Sequence, residues 1–161
     1  MLILISDANV IIDLEEGGLL HLLPLLPHLF KIPDILFYEE LEEHHADLLT
    51  KGFVLGELSP HTIAYAQTLA HKVVGPSRND CFALALAKQE KCSLLTGDKA
   101  LRELATSEGI AVKGTIWLVE ELIINRVITG AKAEMAYNVM ENAGRRLPWD
   151  IARKRLYALK L

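Results

Sequence analysis

The chain has 161 residues, of which 51% are hydrophobic and 24% charged, and its formal net charge is −4. This length fits one domain that buries a core without disulfides, and two cysteines exclude a disulfide framework. No apolar stretch approaches the ~20 residues of a membrane span, and the first residues lack the basic segment of a signal peptide and reach an acid at Asp7, so we expect no signal peptide. The negative charge argues against generic adhesion to nucleic acid. We therefore expect a cytoplasmic protein with no membrane segment.

The hydrophobic pattern predicts strands that alternate with helices. In chain order, the predicted elements are a strand (2–6), a helix (8–16), a proline-broken helix (19–29), a strand (31–33), a helix (34–51), a strand (53–55), helices (60–72 and 77–90), a strand (92–96), a helix (99–107), a strand (110–112) and helices from 115 onward. Such alternation predicts an α/β fold: a three-layer sandwich with a central, mostly parallel sheet.

Three aspartates stand where buried elements begin or end. Asp7 and Asp98 each follow a predicted strand, and Asp80 lies in the first turn of an apolar helix. The carboxyl ends of parallel strands meet at one edge of the sheet, which is the usual place for an α/β active site. Carboxylates brought together there repel one another unless a cation lies between them. Oxygen ligands of this kind suit Mg²⁺ or Mn²⁺.

Each acid also has a purely structural interpretation. Asp7 and Asp98 are good helix N-caps, and the helix dipole favours an acid at the position of Asp80. The fourth candidate, Glu40, lies in a glutamate-rich segment whose ordinary interpretation is a solvated helix face. Glu39 competes with Glu40 for the inward-facing position, and the sequence leaves that choice open.

Several neighbours could assist the acids. Asn9 could orient Asp7 or a water molecule, Thr96 could offer its hydroxyl to a phosphate or a water, and Arg78 and Lys99 could contact phosphate. A basic strip near the C-terminus could track phosphates, although a solvated amphipathic helix explains it equally simply. The strip consists of Arg145, Arg146, Arg153, Lys154, Arg155 and Lys160. We interpret Asp13, six residues after Asp7, as a solvated charge.

The order and spacing of these motifs resemble the PIN domain, the metal-dependent ribonuclease fold of VapC-type toxins. Four blocks carry the resemblance: Ile5–Ile12 around Asp7, Asp34–Leu41 around Glu40, Asn79–Ala87 around Asp80, and Leu95–Leu101 around Asp98. The resemblance covers roughly residues 1–128. Residues 129–161 are expected to form a helical C-terminal extension packed on the same domain.

The resemblance implies an endoribonuclease that depends on Mg²⁺ or Mn²⁺. Asp7, Asp80 and Asp98 would hold one or two ions, and Glu40 would bind a second ion or orient a water molecule. Hydrolysis of RNA would leave a 3′-hydroxyl and a 5′-phosphate. For a toxin, a small antitoxin protein would be the partner, and the high hydrophobic fraction also favours a homodimer.

Two other functions compete with this one. A catalytically degenerate PIN-like module would bind partners or RNA without cleaving them. A haloacid-dehalogenase-type phosphatase also opens with a strand and an aspartate, but it requires a second aspartate two residues later, where this chain has Asn9.

Overall fold

The computed structural model describes residues 2–159, and its core is a five-stranded sheet in the order β3-β2-β1-β4-β5. All four neighbouring pairs are parallel. The strands are β1 (Leu2–Ser6), β2 (His28–Pro33), β3 (Val54–Gly56), β4 (Ser93–Leu95) and β5 (Val112–Lys113). The predicted α/β fold with a parallel sheet is therefore confirmed, and β1 lies at its centre.

Within residues 2–159, nine α-helices flank the sheet. They are α1 (Ala8–Glu16), α2 (Asp34–Leu36), α3 (Glu42–His45), α4 (Pro60–Lys72), α5 (Arg78–Glu90), α6 (Lys99–Ser107), α7 (Thr115–Ile124), α8 (Gly130–Asn142) and α9 (Trp149–Leu159). Short 3-10 helices cover Leu20–Leu25 and Ala46–Thr50, and a π-helical turn covers Phe37–Leu41. None of these described helices has both the length and the apolar character needed to cross a membrane.

Helix α5 is the central buried helix of the fold. Its residues from Cys81 to Ala87 are all buried, and it contacts β1, β2 and β4 as well as α4 and α6. The helix is buried because its sequence is apolar on nearly every face, and both of its sides lie against other elements. Its first turn is thereby fixed beside the carboxyl end of β1, where Asp80 enters the candidate site.

The structure corrects two predicted elements. Residues 34–51 do not form one continuous helix, because the π-helical turn separates α2 from α3 and a 3-10 helix follows. This turn keeps both Phe37 and Leu41 buried while it changes the direction of the glutamates between them. Residues 28 and 29, predicted at the end of a broken helix, belong to β2, because they pair in register with Leu2 and Ile3 of β1.

Truncation of a side chain in α5 is expected to destabilise the protein strongly. Leu84 is fully buried, so Leu84→Ala should lower the free energy of unfolding by about 2–5 kcal/mol. Urea unfolding followed by circular dichroism measures this change. Val74→Ala is the control, since Val74 is fully exposed and its truncation should cost less than about 0.5 kcal/mol. Equal losses in the two variants would contradict the central position of α5.

Candidate active site

Asp7 lies at the carboxyl edge of the sheet, where β1 and β4 end side by side. Ser6 is paired with Leu95, and the Asp7 backbone N–H donates to the Leu95 carbonyl at 3.1 Å. Asp7 is the N-cap of α1, because its Oδ1 accepts a hydrogen bond from the Val10 N–H at 3.1 Å. The other oxygen, Oδ2, accepts a hydrogen bond from the Thr96 hydroxyl. Asp7 therefore caps a helix and joins two strand ends at once.

Burial makes Asp7 an unusual carboxylate. Its side chain is 1% exposed, and this burial raises its pKa from 3.8 to about 6. The hydrogen bonds from Thr96 and Val10 oppose that rise in pKa, whereas the negative charges of Asp80 and Asp13 add to it. Asp80 therefore lies within electrostatic range of Asp7, as the shared sheet edge predicts.

Asp80 enters the site from the first turn of α5. Its Oδ2 accepts a hydrogen bond from the Ser77 N–H at 2.9 Å, and its own N–H donates to the Ser77 hydroxyl at 3.0 Å. This capping box fixes the start of the helix. The Asp80 Oδ1 atom accepts no hydrogen bond from the described residues. Capping thus uses one carboxylate oxygen and leaves the other available to a ligand.

The structure separates the two competing glutamates. Glu39 forms an ion pair with Arg78 and accepts a hydrogen bond from the Asn79 amide at 3.0 Å, and these contacts lower its pKa. Glu40 has a raised pKa, first because it is partly desolvated and second because Asp80 is close. Glu40, and not Glu39, is therefore the glutamate that shares an acidic environment with Asp80. Arg78, a predicted phosphate contact, is bound to Glu39 here.

Asp98 lies at the end of the loop after β4 and caps α6. Its Oδ1 accepts a hydrogen bond from the Leu101 N–H at 2.8 Å, and its backbone N–H donates to the Thr96 hydroxyl oxygen at 3.1 Å. The Thr96 hydroxyl therefore connects Asp98 to Asp7. Thr96 was predicted to position water or phosphate, and in this structure it positions two of the acids. Lys99 follows at the first residue of α6 and is exposed.

The donor chemistry of the site fits a hard divalent cation, although its geometry is open. Across residues 2–159, no three His, Cys, Asp or Glu side chains lie close enough together to hold a metal ion. The mutual effects on pKa nevertheless place Asp7 and Glu40 near Asp80. The Asn79 Oδ1 atom is buried beside them and accepts no hydrogen bond from the described residues. An unpaired buried acceptor among carboxylates is the environment that a cation would complete.

Asp13 is not the solvated charge that its sequence position indicated, and that interpretation was wrong. Its side chain is 5% exposed and accepts hydrogen bonds from the Thr115 hydroxyl at 2.7 Å and from Arg145 Nε at 2.6 Å. A signal was present in the sequence, because Asp13 lies between the buried residues Val10 and Leu14 on the apolar face of α1. The network ties the segment between α8 and α9 to α1 and α7.

Intramolecular ion pairs occupy much of the predicted basic strip. The pairs are Arg145–Asp13, Arg153–Glu141 and Arg155–Glu120. Arg146 and Lys154 have no carboxylate partner among residues 2–159, and Lys160 lies outside the described residues. Three of the six cations therefore fix the C-terminal helices to the domain, whereas Arg146, in the loop beside Asp98, has no carboxylate partner among the described residues.

The raised pKa of Asp7 predicts a specific dependence of stability on pH. Between pH 3.8 and about 6 the folded state holds a proton that the unfolded state has released, so stability falls as pH rises through this window. Asp7→Asn removes this effect, and its free energy of unfolding relative to wild type should rise by about 2–3 kcal/mol from pH 4 to pH 7 without divalent cations. Urea titrations across this range measure the difference. Parallel curves for Asp7→Asn, wild type and the exposed-acid control Glu57→Gln would contradict it.

Comparison with known proteins supports the interpretation of the fold and its sheet edge. No curated protein matches the chain. The family model described as DUF3368: PIN domain matches residues 3–160, which is nearly the whole chain. PIN domains are generally nucleases, enzymes that hydrolyse phosphodiester bonds. The chain belongs to the PIN domain family.

Proposed function

We propose that this protein is a divalent-metal-dependent endoribonuclease that hydrolyses phosphodiester bonds in RNA. The observation that carries the proposal is the meeting of β1 and β4 at the carboxyl edge of the sheet, where the Thr96 hydroxyl donates to the buried Asp7 and accepts from the Asp98 N–H. Burial raises the pKa of Asp7, and the charge of Asp80 adds to that rise. Carboxylates that repel one another destabilise the folded protein when no counter-ion lies between them, so their presence at this site favours a functional role.

Asp80, Asp7, Glu40 and Asp98 would hold Mg²⁺ or Mn²⁺ directly or through water. When bound, the ion supplies Lewis-acid chemistry, since it activates water near neutral pH and offsets charge on the scissile phosphate. The protein itself fixes the positions of the acids. The Thr96 hydroxyl connects Asp7 and Asp98, and the capping box at Ser77 fixes Asp80. Asn9, exposed near Asp98, would position water or phosphate.

Incubation of mixed RNA with the purified protein tests the proposal. Cleavage is expected with Mn²⁺ or Mg²⁺ and not with EDTA, and the products should carry 5′-phosphates that ligase accepts. Activity that persists undiminished in EDTA would contradict metal dependence. A protein that cleaves DNA and no RNA would contradict the ribonuclease assignment while leaving phosphodiester hydrolysis intact.

One observation favours a second function, that of a non-catalytic binding module. Within the part of the chain that the structure describes, the acids are not gathered at metal-binding distance. A degenerate module would need no such gathering. The same assay separates the two functions, since a module that binds RNA without any cleavage in Mn²⁺ would establish the second.

We further propose that this enzyme is the toxin of a toxin–antitoxin pair and that the enzyme itself forms a homodimer. This proposal is supported by the VapC-like sequence blocks and by exposed apolar side chains such as Met135, Val139 and Ile151, which a partner chain would cover. Induced expression should then arrest bacterial growth, and Asp80→Asn should not. Equal growth of cells expressing either protein would contradict the toxin role. A monomer by sedimentation at micromolar concentration would contradict the homodimer.

A further inference from the structure

The segment between α8 and α9, residues 143–148, forms one wall of a cleft that begins at Asp98. A cavity of about 330 Å³ is lined by Asn9, Asp98 and Arg146, among others. A second cavity, of about 360 Å³, extends from Thr96 to Trp117. Both cavities are lined by Gly97, Arg146 and Leu147, so they adjoin along this segment. We call the two together the linker cleft.

The second cavity of the linker cleft is basic, unlike the protein as a whole. Arg102, Lys113 and Arg146 line it, no acidic side chain does, and none of the three cations has a carboxylate partner among the described residues. The Lys113 ammonium lies 4.6 Å from the centroid of the Trp117 ring. The protein carries a net charge of −4, so a cavity lined by three cations without carboxylate partners, next to an acidic site, favours an anionic ligand.

Buried contacts hold this wall in place. The Arg145 guanidinium is bound to the buried Asp13, which also accepts the Thr115 hydroxyl. Since Arg145 directly precedes Arg146, this ion pair fixes the backbone from which Arg146 reaches into the cleft. The charge of Arg146 is therefore presented by an ordered segment, which lowers the entropic cost of binding a ligand.

We infer that the linker cleft binds the phosphodiester backbone of a single-stranded polynucleotide next to the scissile bond. The ligand is RNA if the proposed function holds, and the inference rests on that function for its choice of strand. Arg102, Lys113 and Arg146 contact successive phosphates, while Asp98 lies at the catalytic end. Each cavity has the size of a small-ligand pocket, which suits the nucleotides of an unpaired strand. The mildly acidic protein thus recruits an anionic substrate through a local basic path.

Fluorescence anisotropy with a 5′-fluorescein-labelled RNA 12-mer tests this binding site. EDTA is present throughout, so that binding is measured without metal-dependent cleavage. Lys113→Gln with Arg146→Gln should weaken binding at least about ten-fold. The slope of log affinity against log salt concentration should fall by about 0.7 for each phosphate contact removed. Arg102→Gln alone provides an independent variant, and thermal melts verify that each variant folds.

Lys132→Gln is the matched control, because Lys132 is exposed in the first turn of α8, about 15 Å along that helix from the linker. It should leave affinity and salt slope unchanged. Unchanged binding in the cleft variants, or an equal loss in the control, would overturn the inference. A DNA 12-mer of the same sequence shows whether the cleft binds RNA or DNA. Binding of the DNA strand but not of the RNA strand would overturn the RNA assignment. Cleft-dependent RNA binding by a protein that cleaves nothing in Mn²⁺ would uphold the cleft and overturn only the nuclease proposal.

Discussion

Glu40→Gln is expected to lower the rate of RNA cleavage about 10–100-fold, whereas Glu39→Gln should lower it less than about ten-fold. The two glutamates are sequence neighbours, but Arg78 already offsets the charge of Glu39, which also accepts a hydrogen bond from the Asn79 amide. The pKa of the solvent-accessible Glu40 is raised, first by partial desolvation and second by the charge of Asp80. Removal of the Glu40 charge therefore changes the field at the site, and removal of the Glu39 charge chiefly breaks a surface ion pair.

Single-turnover cleavage of a labelled RNA at saturating Mn²⁺ measures both rates. The pair of variants is its own control, since each replaces one carboxylate by an amide of the same shape in the same π-helical turn. Circular dichroism and melting temperature should match the wild type in both. A larger loss in Glu39→Gln than in Glu40→Gln would assign the fourth acid to Glu39 and contradict the geometry described above.

The positions of the three aspartates could be predicted because each depends on local rules. Asp7 and Asp98 follow apolar strands and have the short side chain that an N-cap requires, and Asp80 opens an apolar helix. In a parallel sheet, those rules alone bring the carboxyl ends of β1 and β4 together. Local sequence rules were therefore sufficient to predict where these three aspartates lie in the fold.

The remaining features depend on contacts between distant residues. Nothing local indicates a π-helical turn at Phe37–Leu41, because its glutamates favour an ordinary helix. The burial of Asp13 needs Arg145, which lies 132 residues away along the chain. The basic strip looked free in the sequence, but long-range partners neutralise much of it. Charge density along a chain therefore shows where cations lie and not which of them remain available.

Mn²⁺ is expected to raise the melting temperature of the wild-type protein at pH 7 by about 5–10 °C when present at about 100 times its dissociation constant. Binding at that excess contributes about 2.7 kcal/mol, and a domain of this size gains about 2–4 °C per kcal/mol. The physical reason is that burial raises the pKa values of Asp7 and Glu40 and the charge of Asp80 raises them further, so that the ionised acids are unfavourable without a cation. A cation between these acids and Asp80 removes the repulsion among them and draws the carboxylates closer than they lie without it.

Asp80→Asn is the decisive comparison, because it removes the charge that contributes to the raised pKa values of both Asp7 and Glu40. The variant should melt at a higher temperature than wild type in EDTA, since it removes the repulsion, and Mn²⁺ should shift its melting temperature by less than about 2 °C. Differential scanning calorimetry at matched ionic strength measures all four conditions. If Mn²⁺ shifts the melting temperatures of wild type and variant equally, the ion binds elsewhere on the surface. That result would contradict a metal site at the acidic edge of the sheet.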